Sequence, residues 1–287
     1  MKNQLVRLAK QIVERFPKLA FTCRYVRDGW QLSGQPQDTV LGFKLMGNPV
    51  MQNGYFEPEE TGLIKKIISQ VDVVINVGAN IGYYCCIALS QGKQVVAFEP
   101  LPLNLQYLLR NIKANKWESK IEVFPLALSN KVGLLEIYGG GTGASLVKGW
   151  AGIPESFVTL VPSSTFDNIV GSRFHGRRCF VLVDIEGAEQ WMLEGATAFL
   201  EMEPKPIWMV EITISEHQPK GVRTNPTLRS TFETFWKNGY EARTADTQCR
   251  VIHSEEIDKI VRTGVDTLQT HNFLFVEPGK KNGWLDV

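Results

Sequence analysis

Residues 71–100, which read VDVVINVGANIGYYCCIALSQGKQVVAFEP, contain the pattern that decides the fold. Val71–Val77 and Val95–Phe98 are short apolar runs typical of strands, and Ile81–Ser90 between them is long enough for a helix. Neither run alternates regularly between apolar and polar residues, which is typical of strands covered on both faces. The stretch therefore predicts a strand–helix–strand unit in a parallel sheet.

The same alternation continues along the chain. It predicts an α/β protein with a doubly wound, mostly parallel sheet, in which ligands bind beyond the carboxyl ends of the strands, where the strand order reverses. Further strands are predicted at Ile121–Phe124, Leu134–Tyr138, Phe180–Val183, Ile207–Ile212, Tyr240–Arg243 and Asn272–Val276, and helices at Leu103–Ala114, Ala188–Leu200 and Pro226–Asn238.

We expect residues 1–60 to form a small amino-terminal extension and residues 61–287 to form the main domain. Within the extension, Leu5, Leu8, Ile12 and Phe16 recur at helical spacing with basic residues between them. This pattern predicts an amphipathic helix. Such a helix either docks on the main domain or contacts a membrane surface or a partner protein.

Composition limits the class of protein. The chain has 287 residues, of which 44% are hydrophobic and 21% charged, and its formal net charge is +1. Wholesale disorder is excluded, and the balanced charge gives no reason to expect a nucleic-acid partner. No apolar run reaches the ~18 residues of a transmembrane helix, and the amino terminus lacks the pattern of a secretory signal. Five cysteines without a CxxC pair favour free thiols over a disulfide framework, so a cytoplasmic location is expected, while the oligomeric state is not specified.

The first predicted strand ends in a glycine-bearing turn, Asn76-Val77-Gly78-Ala79-Asn80-Ile81-Gly82. Gly78 and Gly82 permit a tight turn and the close approach of a ligand. The amides at the start of the following helix can receive a carboxylate or a phosphate. The turn departs from the GxGxxG pattern of dinucleotide sites, because Asn80 stands where the middle glycine would be.

Glu99 directly follows the second predicted strand. A carboxylate at this place accepts hydrogen bonds from the two hydroxyls of a ribose, a feature shared by NAD and S-adenosylmethionine sites. Glu99 alternatively complements the dipole of the helix that follows. Together with the glycine-bearing turn, it favours a cofactor that contains adenosine.

Further acidic residues follow the later strands. Asp184 and Glu186 come directly after the Phe180–Val183 run, Glu211 ends the next strand, and His217 lies shortly beyond it. Burial of carboxylates at such positions costs free energy unless a cationic partner binds them, and this partner can be a ligand ammonium, a metal or an acceptor group. The other interpretation is that these residues cap helices. These four residues are the candidate catalytic residues. The glycine run at residues 139–143 is either an acceptor lid or a plain hairpin loop.

Six segments occur in the order of one known family. Over roughly residues 50–276 the chain resembles the FkbM family of S-adenosylmethionine-dependent methyltransferases. The resemblance implies the Rossmann-like class I methyltransferase fold, with a seven-stranded sheet whose last strand is antiparallel. It also implies O-methylation of a hydroxyl on a sugar, a glycan or another small-molecule acceptor. The segments are Glu57-Pro58-Glu59, residues 76–84, Ala97-Phe98-Glu99-Pro100, Ala127-Leu128-Ser129, residues 184–189 and Glu211-Ile212.

The resemblance also implies roles for individual residues. The turn would hold the methionine part of S-adenosylmethionine, Glu99 the ribose, and Leu126 and Ala127 the adenine. Asp184 and Glu186 would lie near the transferred methyl group, with Glu211 and His217 on the acceptor side. No metal ligands are predicted, although a divalent ion at the carboxylates stays open. The implied cofactor-binding residues are Glu57, Asn76, Gly78, Ala79, Asn80, Gly82, Glu99, Pro100, Leu126, Ala127 and Asp184.

Two residues depart from the family pattern. Asn76 stands where the family usually has Asp, and Leu182 where it usually has Lys. The first change removes a carboxylate near the methionine end of the cofactor, and the second removes a cation close to Asp184. Two other functions therefore stay open at this point: a NAD-dependent oxidoreductase on a similar sheet, and a catalytically inactive S-adenosylmethionine-binding module.

Overall fold

The computed structural model describes residues 32–279. The predicted helix over residues 5–16 lies outside the described residues. The strands are β1 (Gln37–Asp38), β2 (Lys44–Leu45), β3 (Val73–Val77), β4 (Gln94–Phe98), β5 (Ile121–Phe124), β6 (Ala127–Leu128), β7 (Gly133–Tyr138), β8 (Val158–Ser164), β9 (Cys179–Val183), β10 (Ile207–Glu211), β11 (Glu241–Thr244), β12 (Val251–Ile252) and β13 (Asn272–Val276). The α-helices are α1 (Pro49–Gln52), α2 (Pro58–Ser69), α3 (Tyr83–Ser90), α4 (Pro102–Ala114), α5 (Phe166–Ile169), α6 (Glu189–Glu194), α7 (Thr197–Leu200), α8 (Leu228–Lys237) and α9 (Ser254–Thr263).

The large sheet has the strand order β12-β11-β13-β10-β9-β3-β4-β5. Strands β5, β4, β3, β9 and β10 run parallel, and β13 is antiparallel to both of its neighbours. The order reverses at β3, which pairs with β4 on one side and β9 on the other. The doubly wound, mostly parallel class I fold is thus confirmed, with the two-residue strand β12 added to the predicted seven at one edge.

Two of the predicted elements differ from the structure. The strand at Leu134–Tyr138 belongs to a separate three-stranded sheet, in the order β6-β8-β7. The single helix predicted over Ala188–Leu200 is divided into α6 and α7 around Gly195. A Cβ at Gly195 would lie 2.4 Å from the carbonyl oxygen of Ser129, so the chain needs glycine where it passes this backbone.

Both faces of the central strands are covered, as the uninterrupted apolar pattern predicts. Val73, Ile75 and Val77 of β3 pack in one apolar cluster, whereas Val74 packs in the cluster on the opposite face. The four described cysteines, Cys85, Cys86, Cys179 and Cys249, are free thiols. No helix within residues 32–279 is long and apolar enough to cross a lipid bilayer.

The described part of the amino-terminal extension packs on the main domain. Phe43, Leu45 and Met51 share an apolar cluster with Ile64 of α2. A boundary at residue 60 remains a prediction, and it would fall inside α2.

Two asparagines one turn apart, Asn111 on α4 and Asn115 at its carboxyl-terminal cap, hold this extension through its backbone. Asn111 accepts from Met46 N at 2.6 Å and donates to Met46 O and Ile81 O, at 3.2 and 2.9 Å. Asn115 accepts from Lys44 N at 2.8 Å and donates to Lys44 O at 2.7 Å. Each amide thus occupies a donor and an acceptor of the β2 segment, and Asn111 is fully buried whereas Asn115 is partly exposed.

Asn111→Ala should lower the free energy of unfolding by about 2–4 kcal/mol, because it leaves buried backbone groups of Met46 and Ile81 unpaired. Asn115→Ala is the matched control and should cost about 1 kcal/mol or less, because water can replace its bonds at the surface. Urea unfolding measures both values. Equal losses would contradict the buried role of Asn111.

Candidate functional site

The carboxyl ends of β3 and β9 meet at Gly78 and Asp184. Gly78 has a left-handed φ of 83°, and a Cβ there would lie 1.9 Å from the carbonyl oxygen of Asp184. The amide of Asp184 donates to Val77 O at 3.0 Å, which fixes the two strand ends side by side. Only glycine permits this approach, which brings the glycine-bearing turn and the Asp184 carboxylate to one place.

Glu99 lies at the end of β4 and is buried, with 4% of its surface exposed. Its Oε2 accepts from Asn80 N at 2.8 Å, and its Oε1 accepts from Leu101 N at 2.9 Å and Asn104 Nδ2 at 3.3 Å. Burial raises the pKa of Glu99 to about 7, although these three hydrogen bonds act to lower it. The side chain is thus fixed by two backbone amides and Asn104.

A first cavity opens beside Glu99, between the ends of β3, β4 and β9. It encloses about 590 Å³ including its open mouth, within the ~300–1,000 Å³ typical of small-molecule sites. Of the residues proposed for cofactor binding, Gly78, Asn80, Glu99, Pro100, Leu126, Ala127 and Asp184 line it, together with Glu186 and with Asn104, Leu128, Ile137, Gly141, Thr142, Ala144 and Leu146.

A second cavity of about 1120 Å³, again including its mouth, adjoins the first. Gly78, Asn80, Thr142, Asp184 and Glu186 line both and form the wall between them, which is called the shared wall below. The second cavity also receives Glu57, Asn76, Ala79 and Glu211 from the predicted set, and Glu60, Phe56, Tyr83 and Tyr84 beside them. None of the described residues that line it is Lys, Arg or His.

Two predicted residues lie outside both cavities. Gly82 faces α4, where a Cβ would lie 2.3 Å from Leu108 Cδ1, so its glycine serves helix packing. His217 has a half-exposed side chain, and its Nδ1 is 3.9 Å from Glu186 Oε2. His217 therefore lies near Glu186 of the shared wall but lines neither cavity.

Carboxylates dominate the electrostatics of the second cavity. Burial, followed by the charges of the nearby Glu186, Glu189, Glu57 and Glu60, raises the pKa of Asp184 to about 8. Asp184 is exposed only through the two open cavities that it lines. In the same way, burial and then the charge of Asp184 raise the pKa of Glu211 to about 9.

Glu60 belongs to the same group, although the sequence pattern gave it no role. Burial, followed by the charge of Glu57, raises the pKa of Glu60 to about 7, while a hydrogen bond from Asn272 lowers it. Asn272 Nδ2 donates to Glu60 Oε1 at 2.7 Å. Glu57 itself has a left-handed φ of 41° at the start of α2 and accepts from Tyr84 Oη at 2.7 Å.

The glycine run reaches both cavities. Gly141 and Thr142 line the first, Thr142 also lines the second, and Gly141 O accepts from Asn104 Nδ2 at 3.1 Å. Movement of this run as a lid stays a prediction.

Within residues 32–279, no three His, Cys, Asp or Glu side chains are arranged to hold a metal ion.

The sequence profile of the methyltransferase FkbM domain matches residues 76–242, which include the shared wall and Glu99. The chain belongs to the FkbM methyltransferase family. Comparison with curated protein sequences gives no significant match.

Several solved methyltransferases are similar to this family member in structure. An O-methyltransferase from Bacillus cereus in complex with SAH is 10% identical, with a TM-score of 0.41, over 77% of this chain and 80% of that one. A precorrin-6y C5,15-methyltransferase from Geobacter metallireducens GS-15 is 12% identical, with a TM-score of 0.38, over 65% and 71%. A putative O-methyltransferase from Klebsiella pneumoniae is 10% identical, with a TM-score of 0.41, over 80% and 91%.

The two departures from the FkbM pattern are neighbours in the sheet. Asn76 of β3 and Leu182 of β9 are register partners, both line the second cavity, and they are only 2% and 5% exposed. Asn76 Nδ2 donates to Cys85 Sγ at 3.4 Å. Where the family usually has Asp and Lys side by side, this chain has a neutral pair, so the two changes together leave no unpaired charge.

Asn76→Asp and Leu182→Lys should each destabilise the protein, because each places one unpaired charge in a buried position. The double variant should be more stable than the sum of the two losses predicts, with a coupling of about 1–3 kcal/mol. Denaturant unfolding of the four proteins measures the coupling. Additive losses would mean that the two positions do not interact.

The stability of the unliganded protein should fall as the pH rises from about 4 to about 9. Asp184 and Glu211 hold their protons in the folded state up to pKa values of about 8 and 9, whereas the unfolded chain releases them near 4. Asp184→Asn or Glu211→Gln should therefore raise Tm at pH 8.5 relative to the wild type, by about 2–4 °C for each kcal/mol gained in unfolding free energy. Each variant should also show a smaller difference in Tm between pH 5 and pH 8.5 than the wild type.

Thermal unfolding at the two pH values measures this effect. Glu201→Gln, which changes an exposed carboxylate outside both cavities, serves as the control. A wild-type Tm that rises between pH 5 and pH 8.5 would contradict the raised pKa values of Asp184 and Glu211.

Proposed function

We propose that the protein is an S-adenosylmethionine-dependent O-methyltransferase that acts on a hydroxyl of a neutral or amino-bearing sugar, glycan or similar polyol. The observation that supports it is the shared wall. One cavity with a buried ribose-type carboxylate adjoins a second, acidic cavity, and Asp184 and Glu186 face both. A donor in the first and an acceptor in the second would meet at these carboxylates.

The residues present fit S-adenosylmethionine. Glu99 uses three of the about four acceptor positions of its carboxylate within the protein, which leaves one lone pair, on Oε2, for a ribose hydroxyl. Leu126, Ala127 and Leu128 give the cavity an apolar wall for a flat base. Asn80 Oδ1 lies on the shared wall and has no hydrogen-bond partner among the described residues, so it can accept from an ammonium group. When bound, the cofactor supplies a methyl group on a positively charged sulfur.

The lining of the second cavity favours hydroxyl donors over anions. Carboxylates accept hydrogen bonds from sugar hydroxyls, and the partly exposed aromatic side chains of Phe56 and Tyr84 can pack against a sugar ring. Because no described cation lines the cavity, a phosphate or carboxylate on the acceptor would meet repulsion without compensation. Neutral and amino-bearing acceptors fit this charge.

Asp184 has the properties of the base in this reaction. A group with a pKa of about 8 at the shared wall can accept the hydroxyl proton near neutral pH as the new carbon–oxygen bond forms. Glu211, with a pKa of about 9, is protonated under the same conditions and can donate a hydrogen bond to the acceptor. Positioning the two reactants supplies roughly 7–11 kcal/mol, and the base adds roughly 10²–10⁴-fold.

Of the other functions considered, the family match favours methyl transfer over the NAD-dependent reaction. The inactive binding module keeps one supporting observation, the neutral pair Asn76 and Leu182 at the cavity wall. Cofactor binding without methyl transfer to any acceptor would favour that alternative.

Glu99→Gln should weaken S-adenosylmethionine binding at least tenfold, because the amide loses one charged acceptor that ribose hydroxyls need, worth roughly 1.5–3 kcal/mol. Isothermal titration calorimetry measures the affinity, and a thermal melt verifies that the variant is folded. Glu189→Gln is the matched control, since Glu189 is also buried with a pKa raised to about 7 but lines neither cavity. An unchanged affinity in Glu99→Gln would exclude the ribose role.

Transfer of a tritiated methyl group from S-adenosylmethionine to a panel of acceptors tests the reaction itself. Neutral glycosides and amino sugars should be methylated, and sugar phosphates should not. Asp184→Asn should lower turnover by roughly 10²–10⁴-fold while changing cofactor affinity little. Equal losses of turnover and affinity would show that Asp184 supports the cofactor instead of accepting the proton.

A further inference from the structure

Trp150 lies in the loop between β7 and β8, in a short 3₁₀ turn at Trp150–Gly152 that belongs to none of the family segments. Only 1% of its surface is exposed, although the loop itself runs over the protein surface. Its indole Nε1 donates to Glu186 Oε2 at 2.8 Å. A loop residue thus reaches into the protein and ends at a carboxylate of the shared wall.

Close packing of the indole ring against Gly187 also supports its contact with Glu186. Gly187 has a φ of 95°, and a Cβ there would lie 2.5 Å from the ring of Trp150. The indole therefore packs directly on the backbone that follows Glu186, and any other residue at position 187 would displace it.

The same loop also fixes the backbone of Glu186. Glu186 has a left-handed φ of 55°, a conformation that costs an ordinary residue of order 1–3 kcal/mol. Ser145 Oγ donates to the carbonyl oxygen of Glu186, and Trp150 holds the side chain. Both ends of Glu186 are therefore bound to one loop.

The arrangement leaves half of the carboxylate available. Oε2 receives the indole N–H and faces His217 Nδ1 at 3.9 Å. No described residue donates a hydrogen bond to Oε1, and Glu186 lines both cavities. Oε1 is thus the oxygen that an acceptor hydroxyl can reach.

We propose that Trp150 is a positioning residue for methyl transfer, which holds the Glu186 carboxylate at the shared wall so that its second oxygen orients the acceptor hydroxyl toward Asp184. This role rests on the proposed function, but the contact that it describes does not.

The indole opposes a repulsion that would otherwise move Glu186. Asp184 faces Glu57 just before α2, Glu60 within it, Glu186 and Glu189 from the segment after β9, and Glu211 from β10, while His217 Nδ1 lies 3.9 Å from Glu186 Oε2. A donor fixed on a buried ring keeps Glu186 beside Asp184 despite these like charges. Because the charge of Glu186 is the largest neighbouring contribution that raises the pKa of Asp184, moving it away would let Asp184 lose its proton at lower pH.

Nuclear magnetic resonance tests the contact without any acceptor. In ¹⁵N-labelled full-length protein, Trp150→Phe identifies the indole N–H signal of Trp150. That signal should shift in Glu186→Gln, because the indole N–H then donates to a neutral amide oxygen instead of a charged carboxylate. Trp208 is the internal reference, because its buried indole donates to Tyr240 Oη at 3.3 Å, away from both cavities. A Trp150 signal that ignores Glu186→Gln would overturn the proposal.

Turnover with the glycoside methylated fastest in the acceptor panel tests the consequence. Trp150→Phe should lower kcat roughly 10–100-fold, the value of one hydrogen bond to a charged group, with little change in S-adenosylmethionine affinity. Its acidic limb in the pH profile should move to lower pH. In the Glu186→Gln background the same change should have almost no further effect, because Trp150 acts through Glu186.

The controls distinguish a failure of the positioning role of Trp150 from a failure of the proposed function. Trp208→Phe removes a buried indole of the same kind and should leave kcat and the pH profile unchanged. Additive effects of Trp150→Phe and Glu186→Gln, or an unmoved pH profile, would overturn the positioning role. If the wild-type protein methylates no acceptor while the indole signal follows Glu186, the proposed function fails and the contact stands.

Discussion

The contact between Gly78 and the carbonyl of Asp184 is the constraint on which the site depends. It joins the ends of β3 and β9 at the point where the order of the sheet reverses, and it tolerates no side chain on the first of these residues. With the two strand ends fixed, the turn after β3 brings the Asn80 amide to Glu99. The segment after β9 places Asp184 and Glu186 in the shared wall of the two cavities. Two cavities then share one boundary instead of lying apart.

The electrostatic character of the site follows from that convergence. Acidic residues from α2, from the end of β10 and from the segment after β9 meet around one enclosed space without a described cation among them. Burial and mutual repulsion raise the pKa values of Asp184, Glu211 and Glu60 together. A cation bound in this space would favour the ionised carboxylates and lower these pKa values, so its binding would be coupled to the release of protons.

The sequence alone was sufficient to predict the sheet and the location of those candidate site residues that directly follow strands. Apolar runs without alternation predicted β3, β4, β9 and β10, and the polar residues just after them proved to lie at one edge because parallel strands end together. A glycine in a turn after a strand suggests ligand approach, whereas Gly82 lines neither cavity and makes room for Leu108.

The remaining site residues lie in loops and on helices, where no comparable rule predicts from sequence which side chains reach the site. Trp150 and Thr142 lie in a loop whose path depends on tertiary packing, and Asn104 and Glu60 lie on helices whose facing side chains are set by how those helices dock. The pairing of Asn76 with Leu182 requires the register of two strands that are about a hundred residues apart in sequence, and a single sequence does not contain that register.

The amino-terminal segment shapes one of the two cavities and not the other. Asn48, Met51, Phe56 and Glu57 precede the first strand of the large sheet, yet they line the second cavity and leave the first untouched. The segment is attached through backbone groups that Asn111 and Asn115 recognise irrespective of side chain. Substitutions of side chains in this segment can therefore reshape the second cavity without loss of its backbone attachment and without change to the lining of the first cavity.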